Sequence, residues 1–187
     1  MEDFIMTRNN IFKLSLTGML IAVGVIIPMF SPVRIILEPA SFTLASHVVI
    51  FMAMFISPAV AVAVAAGTTM GFFLGGFPIV VVLRAASQII YAAVGAFYIH
   101  KIAKTPLSSG RILFFSFWVN ILHALGELAV VSLFYLGGNL AAIHYDQGFL
   151  RSVLLLVGLG TVIHGMIDFE IARMVMIPLK KKGIFKI

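Results

Sequence analysis

Six apolar runs make up most of this chain: residues 11–30, 40–57, 59–76, 79–99, 112–136 and 152–177, parted by short breaks of proline, glycine and charge. Few folds accept such a pattern. A helical crossing of a bilayer takes roughly 20 residues, because the hydrocarbon core is about 30 Å thick and a helix rises 1.5 Å per residue. Hydrophobic residues are 61% of the chain and charged ones 11%, against about 45–50% and 25% in soluble domains. A water-soluble enzyme, a secreted module and a disordered chain are thereby excluded. With 187 residues, six crossings leave no stretch for a separate soluble domain. The expectation is an all-α integral membrane protein, a compact bundle of six transmembrane helices forming one domain over residues 1–187.

The breaks carry ordinary stop signals. Pro28 and Pro32 close the first run, and residues 33–39 follow as a loop with Arg34 and Glu38. Ser57-Pro58 suits a helix start, since proline at the first turn loses no needed N–H. Gly75-Gly76-Phe77-Pro78 and Gly137-Gly138-Asn139 end the third and fifth runs, and residues 141–151 read as a polar stretch able to hold a short surface helix. Met1-Glu2-Asp3 is acidic, and no small-residue cleavage site follows the first run, so that run reads as a retained helix and not a signal peptide. Cysteine is absent, which excludes disulfides and thiolate metal sites.

Six spans put both termini on one side. That side would carry nine cations, Arg8, Lys13, Lys101, Lys104, Arg111, Lys180, Lys181, Lys182 and Lys186, against Arg34 and Arg151 on the other. Lysine and arginine gather on the cytoplasmic side of membrane proteins, so both termini are expected in the cytoplasm. The net charge of +6 then reflects topology, and no nucleic-acid partner is expected.

Polar residues inside the runs are few and periodic. Arg84, Gln88 and Tyr91 step by four and three; Ser116, Asn120, His123 and Glu127 by four, three and four; Thr161, His164 and Asp168 by three and four. Each set shares one helical face. A charge at membrane depth costs several kcal/mol unless it meets a partner or water, so the stripes should turn toward one another around a polar pocket. Arg84, Gln88, Asn120, His123, Glu127, His164 and Asp168 are the candidate substrate-binding residues. Polar side chains also join helices as plain hydrogen-bonding glue, and Arg84 with Glu127 would serve in either role. Counting from the run ends at 1.5 Å per residue, Arg84 lies roughly 8 Å deep and Glu127 roughly 14 Å, close enough to meet. Glu170 and Arg173, near the far end of the last run, read as structural.

The pairs His123-x-x-x-Glu127 and His164-x-x-x-Asp168 have the i,i+4 spacing of metal ligands, but no zincin signature accompanies them. No metal ligand and no catalytic residue is assigned. The chain has no P-loop, no G-x-S-x-G and no H-E-x-x-H. It should not hydrolyse nucleotides itself. An intramembrane metal-dependent hydrolase and a stand-alone small secondary transporter or channel stay as alternatives. Small residues form two further stripes: Ala59, Ala63, Gly67, Gly71 and Gly75 in the third run, and Ser15, Gly18 and Ala22 in the first. Such stripes let helices approach closely. The third-run stripe is expected to pack inside the bundle, whereas the first-run stripe is free to dock a separate membrane subunit.

Six short spans, a basic loop and tail, and no nucleotide motif make the chain similar to the substrate-binding S components of energy-coupling factor (ECF) vitamin transporters. The phrases Pro28-Met-Phe-Ser-Pro32, Glu38-Pro-Ala-Ser-Phe-Thr-Leu-Ala-Ser-His47 and Phe55-Ile-Ser-Pro58 resemble the small-vitamin members. The resemblance implies a multi-pass protein of the bacterial plasma membrane, partnered by a transmembrane T component and two cytoplasmic ATPases. Those ATPases would use ATP and magnesium, and this chain would need no cofactor of its own. Gly18-Met-Leu-Ile-Ala22 matches the family's first-span A-x-x-x-A docking motif with glycine for the first alanine. The loop with Arg34 and Glu38 matches the one that caps the family's outer site. The ligand expected is a small heteroaromatic vitamin or precursor: hydroxymethylpyrimidine, pyridoxine or niacin, with pantothenate behind them. Arg84 would pair with the carboxylate of niacin, whereas Glu127 or Asp168 would accept from a ring amino or hydroxyl group.

Overall fold

The computed structural model describes residues 2–32, 34–37, 40–102 and 109–182. Helix α1 (Glu2–Phe30) leads into an antiparallel hairpin, β1 (Arg34–Leu37) and β2 (Ala40–Thr43), with Arg34 opposite Thr43 and Leu37 opposite Ala40. Then come α2 (Val48–Ile56), α3 (Pro58–Leu74) and α4 (Ile79–Phe97), the last extended by a π-helical turn over Tyr98–Ile102. After α5 (Ser109–Leu136) and the short α6 (Ala142–Asp146), a π-helical stretch (Leu150–Leu159) runs straight into α7 (Gly160–Lys181).

Among the described residues, four stretches are long and apolar enough to cross a membrane: Asn9–Phe30, Ile79–Lys101, Gly110–Leu136 and Leu150–Leu179. Helix α3, with 17 residues, is shorter. The expected second span departs furthest from a plain crossing. Its first residues, Ala40–Thr43, pair with β1, and Ala45 takes a left-handed backbone (φ 68°) before the helix begins. Only nine residues remain helical, about 14 Å of length, under half the hydrocarbon core. Helix α2 is buried around nearly its whole circumference, as a core helix is.

Local signals set most other boundaries. Ser57 caps α3, its Oγ accepting the Val60 N–H at 3.2 Å, with Pro58 in the first turn. Gly76 (φ 73°) and Gly138 (φ 71°) supply the left-handed positions after α3 and α5. Helix α1 starts nine residues before the first apolar run and passes through Pro28 to Phe30; α7 likewise passes Pro178. Polar residues continue a helix beyond an apolar run, so the ends of such runs do not mark helix ends.

The main core surrounds α2. Phe51, Met54, Val64, Tyr91, Ala96 and Phe169 are all fully buried there. The outer surface is apolar, with Leu14, Leu74, Leu133 and Leu136 more than 70% exposed. That inversion of the soluble pattern suits a lipid-facing belt. The glycine stripe of α3 packs on α1: a Cβ at Gly67 would strike Ile21 and one at Gly71 would strike Val25. Ala59 and Ala63, from the same stripe, are exposed. Four residues join α3 to α4 and one joins α2 to α3, so these helices alternate in direction. The hairpin, the 75–78 turn and the 137–149 connection thus lie at one end of the bundle.

Candidate functional site

At that end the helices part around a cavity of about 240 Å³. Drug-sized ligands occupy about 300–1,000 Å³, so this space suits a smaller molecule. Gly24 and Pro28 of α1 line one side, with Thr68 and Phe72 of α3. Phe42, Thr43, Ser46 and His47 enter from the hairpin and the turn after it. Val81, Arg84, Ala85 and Gln88 of α4 line the opposite side, and Glu127, Thr161 and His164 complete the wall from α5 and α7. Phe77 and Pro78 close the rim.

Two carboxylates organise the polar wall. Glu127, almost fully buried, takes Arg84 Nη2 at 2.7 Å and the Thr161 hydroxyl at 2.9 Å on Oε2. His123 Nε2 lies 3.4 Å from Glu127 Oε1, too poorly aligned to count as a hydrogen bond. Arg84 keeps donors to spare: its buried Nε has no hydrogen-bond partner among the described residues.

Asp168 is built differently. Its Oδ1 accepts the Ala45 N–H and its Oδ2 the His47 N–H, both at 2.9 Å. One α7 carboxylate thus satisfies donors at the start of α2, some 120 positions earlier in the chain, as a capping side chain would. His47 Nδ1 and His164 Nε2 approach the same Oδ2 at 3.2 and 3.3 Å. Ser46 Oγ stands 3.2 Å from each of those ring nitrogens. Histidine rings connect the two centres, with His47 edge-on to His123 at 4.6 Å and Tyr91 against His123 at 4.5 Å.

The three stripes do converge. Of the seven candidate residues, Arg84, Gln88, Glu127 and His164 line the cavity. Asn120, His123 and Asp168 lie behind the lining, each at most 1% exposed. Asn120 donates from Nδ2 to the Ser116 carbonyl at 2.9 Å, and its Oδ1 sits where a Cβ on Gly165 would fall. Asn120 therefore packs at the contact between α5 and α7, bonded, among the described residues, only within α5. Arg34 belongs to β1, whereas Glu38 lies outside the described residues. Gly18 and Ala22 are exposed on α1, and nothing stands within 4 Å of a Cβ at Gly18. Glu170 and Arg173 pair with each other at 2.7 Å, away from the cavity.

Sequence reasoning passed over Ser46 and His47. The signal was present, since His47 interrupts an otherwise apolar run next to Val48-Val49-Ile50. Phe42, Phe72 and Phe77 gave no signal in a chain with 17 phenylalanines.

A cavity walled by buried charge, inside a bundle of membrane-length helices, defines a small-molecule binding or transport protein. The chain is 41% identical to the niacin transporter NiaX of Lactococcus lactis subsp. cremoris (strain MG1363) over 166 residues, 88% of this chain and 73% of that protein. It belongs to the family of ECF vitamin-transporter S components. No family model matches the chain, and no solved structure does.

Proposed function

We propose that this chain captures niacin, as the nicotinate anion, for an ATP-driven ECF importer. The observation that carries the reading is Arg84, a buried guanidinium on the wall of a small cavity with donor capacity beyond its pair with Glu127. Arginine suits planar, two-point recognition of a carboxylate. The similarity to a protein named for niacin supports niacin over hydroxymethylpyrimidine, pyridoxine and pantothenate. Gln88, Ser46, Thr43 and the ring of His164 supply further polar contacts, and Phe42, Phe72 and Phe77 supply faces for a flat ring. In this reading the chain is a transport subunit and not a hydrolase.

The reading extends to topology and partners. The six apolar helices form one transmembrane domain with both termini cytoplasmic, and the cavity end faces outward. Exposed Gly18 and Ala22 offer α1 for close approach by a T component, and two cytoplasmic ATPases drive transport. Purified chain should bind nicotinate well above nicotinamide and hydroxymethylpyrimidine by isothermal titration calorimetry. A preference for either competitor overturns the substrate. Single cysteines at Ser109 and Asn139 test orientation in intact cells, where an impermeant thiol reagent should label only the Asn139 position. Gly18→Leu should abolish uptake by the reconstituted complex with nicotinate binding intact, and unaffected uptake would remove α1 as the docking face.

A further inference from the structure

Four polar atoms converge on one point of the cavity wall. His47 Nδ1 and Asp168 Oδ2 are 3.2 Å apart, and His164 Nε2 and Asp168 Oδ2 are 3.3 Å apart. Ser46 Oγ is 3.2 Å from both ring nitrogens. The ligating atoms of the two histidines and the aspartate all lie within 4.8 Å of one another. A tetrahedral zinc site with bonds of 2.0–2.2 Å separates its ligand atoms by about 3.3 Å. The two imidazole–carboxylate spacings match edges of such a tetrahedron, and all three ligand atoms lie within its reach.

Hydrogen bonding accounts for the His47 ring on Oδ2 and for the Ser46 hydroxyl on His164 Nε2, both at 3.2 Å, but leaves one contact over. Oδ2 already accepts the His47 N–H at 2.9 Å. A carboxylate oxygen has two lone pairs, so with the His47 backbone and ring N–H groups on Oδ2, the His164 Nε2 approach at 3.3 Å has no lone pair of its own to meet. If both rings instead turn lone pairs inward, the three ligands share one cation and that contact is accounted for.

We infer that His47, His164 and Asp168 bind a divalent transition metal ion of the zinc class, with one coordination position open to the cavity. Neutral imidazole and carboxylate donors suit zinc, cobalt and nickel, and three protein ligands with one exchangeable position is the form of zinc sites that act on a ligand. The supporting shell is in place: Ala45 N–H fixes Asp168 Oδ1, His123 packs on the His47 ring, and Phe42 lies 5.4 Å from the His164 ring. Such outer contacts hold ligands in orientation. Ser46, His47 and His164 line the cavity, with Asp168 behind them, so the open position faces the space a vitamin would fill. Charge agrees as well. Arg84 offsets Glu127, which leaves Asp168 as a surplus negative charge in a buried wall. A divalent ion turns that surplus positive, as an anionic ligand requires. Resting on the niacin reading, a pyridine nitrogen in the cavity takes the open position.

Metal binding is tested without the vitamin. Purified protein, free of any histidine tag and stripped with chelator, is titrated with zinc or cobalt alone. The expected result is one ion per chain by elemental analysis, a cobalt absorption spectrum of tetrahedral type, and a rise in unfolding temperature. His164→Gln should weaken metal binding by at least about tenfold. His100→Gln, whose ring meets the Met54 carbonyl elsewhere, should not. No retained metal, a solution-like octahedral cobalt spectrum, or equal binding by well-folded His164→Gln overturns the site. Nicotinate and benzoate titrations of stripped and zinc-loaded protein then test the open position. Zinc should strengthen nicotinate binding and favour it over benzoate, which lacks the ring nitrogen. Nicotinate binding unchanged by zinc removes the coordination step. Failure of nicotinate to bind either form, with metal bound, counts against the niacin reading and leaves the metal result intact.

Discussion

The centres at Glu127 and Asp168 share a sequence pattern, a histidine four residues before a carboxylate on one helical face, yet they are different objects. Glu127 meets a permanent cation, with Arg84 Nη2 at 2.7 Å, and the pair is neutral wherever it sits. Among the described residues Asp168 meets no arginine or lysine; it is held by two backbone N–H groups and flanked by two imidazoles. The first centre joins α4 to α5 in the middle of the bundle. The second fastens the turn before α2 onto α7. Equal spacing on one helix therefore reports a shared face and nothing about the partner, which arrives from another element. Arg84 and His47 create the difference.

Asp168→Ala should have the largest effect. It strands the Ala45 and His47 N–H groups near a fully buried position, at about 1–3 kcal/mol for each donor left unsatisfied. The turn that carries Ser46 and His47 into the cavity would come loose, so binding should fall with stability. Thermal unfolding in detergent and nicotinate titration measure both. Asp168→Asn keeps an acceptor and should fall between. Wild-type stability in Asp168→Ala would dissolve the distinction between the centres, leaving both as ligand contacts only.

Glu127→Ala and Arg84→Ala each leave one buried charge uncompensated, a loss of about 3–5 kcal/mol when a buried pair is broken. Removing both partners is the sharper test. Arg84→Met with Glu127→Gln deletes both charges, and it should unfold closer to wild type than Arg84→Met or Glu127→Gln alone does. It should still bind nicotinate poorly, because Arg84 is gone. Among the described residues Asp168 has no arginine or lysine to remove with it, and two backbone N–H groups hold it. A double variant as unstable as the sum of its singles would show that Arg84 and Glu127 act independently.

Legibility in the sequence follows the same divide. The stripes on α4, α5 and α7 were readable because long regular helices turn spacing into facing, and similar depth allowed Arg84 and Glu127 either to meet or to hold a small ring between them; the structure has them meet. The hairpin and the shortened α2 were not readable. Residues 40–47 carry no Asp, Glu, Lys or Arg, and their small hydroxyls are spread among Ala40, Phe42, Leu44 and Ala45, so hydropathy counts them with the crossing that follows. Their path depends on pairing with β1 and on a carboxylate some 120 residues away. Periodicity is a property of one segment, and that interaction is a property of two. For the same reason Asn120 reads as a pocket residue by face but lies one layer behind it, where its Oδ1 fills the space a Cβ on Gly165 would take.

The smallest effect should come from Asn120→Ala, and it separates face from layer. Asn120 is fully buried, its Nδ2 satisfied within its own helix and its Oδ1 without a hydrogen-bond partner among the described residues. Alanine removes the donor and the unpartnered acceptor together, so little hydrogen bonding is lost on balance, and a small cavity is the main cost. Stability should change by about 1 kcal/mol or less, with nicotinate affinity altered less than about threefold. His164→Ala, one turn from Thr161 and directly on the cavity, should weaken nicotinate by about tenfold or more, equivalent to about 1.4 kcal/mol. The contrast is read by titrating both variants after matched folding checks. A larger binding loss in Asn120→Ala than in His164→Ala would mean that the ligand penetrates between α5 and α7, past the His47–His123 contact, and that the outer cavity is only the route to it.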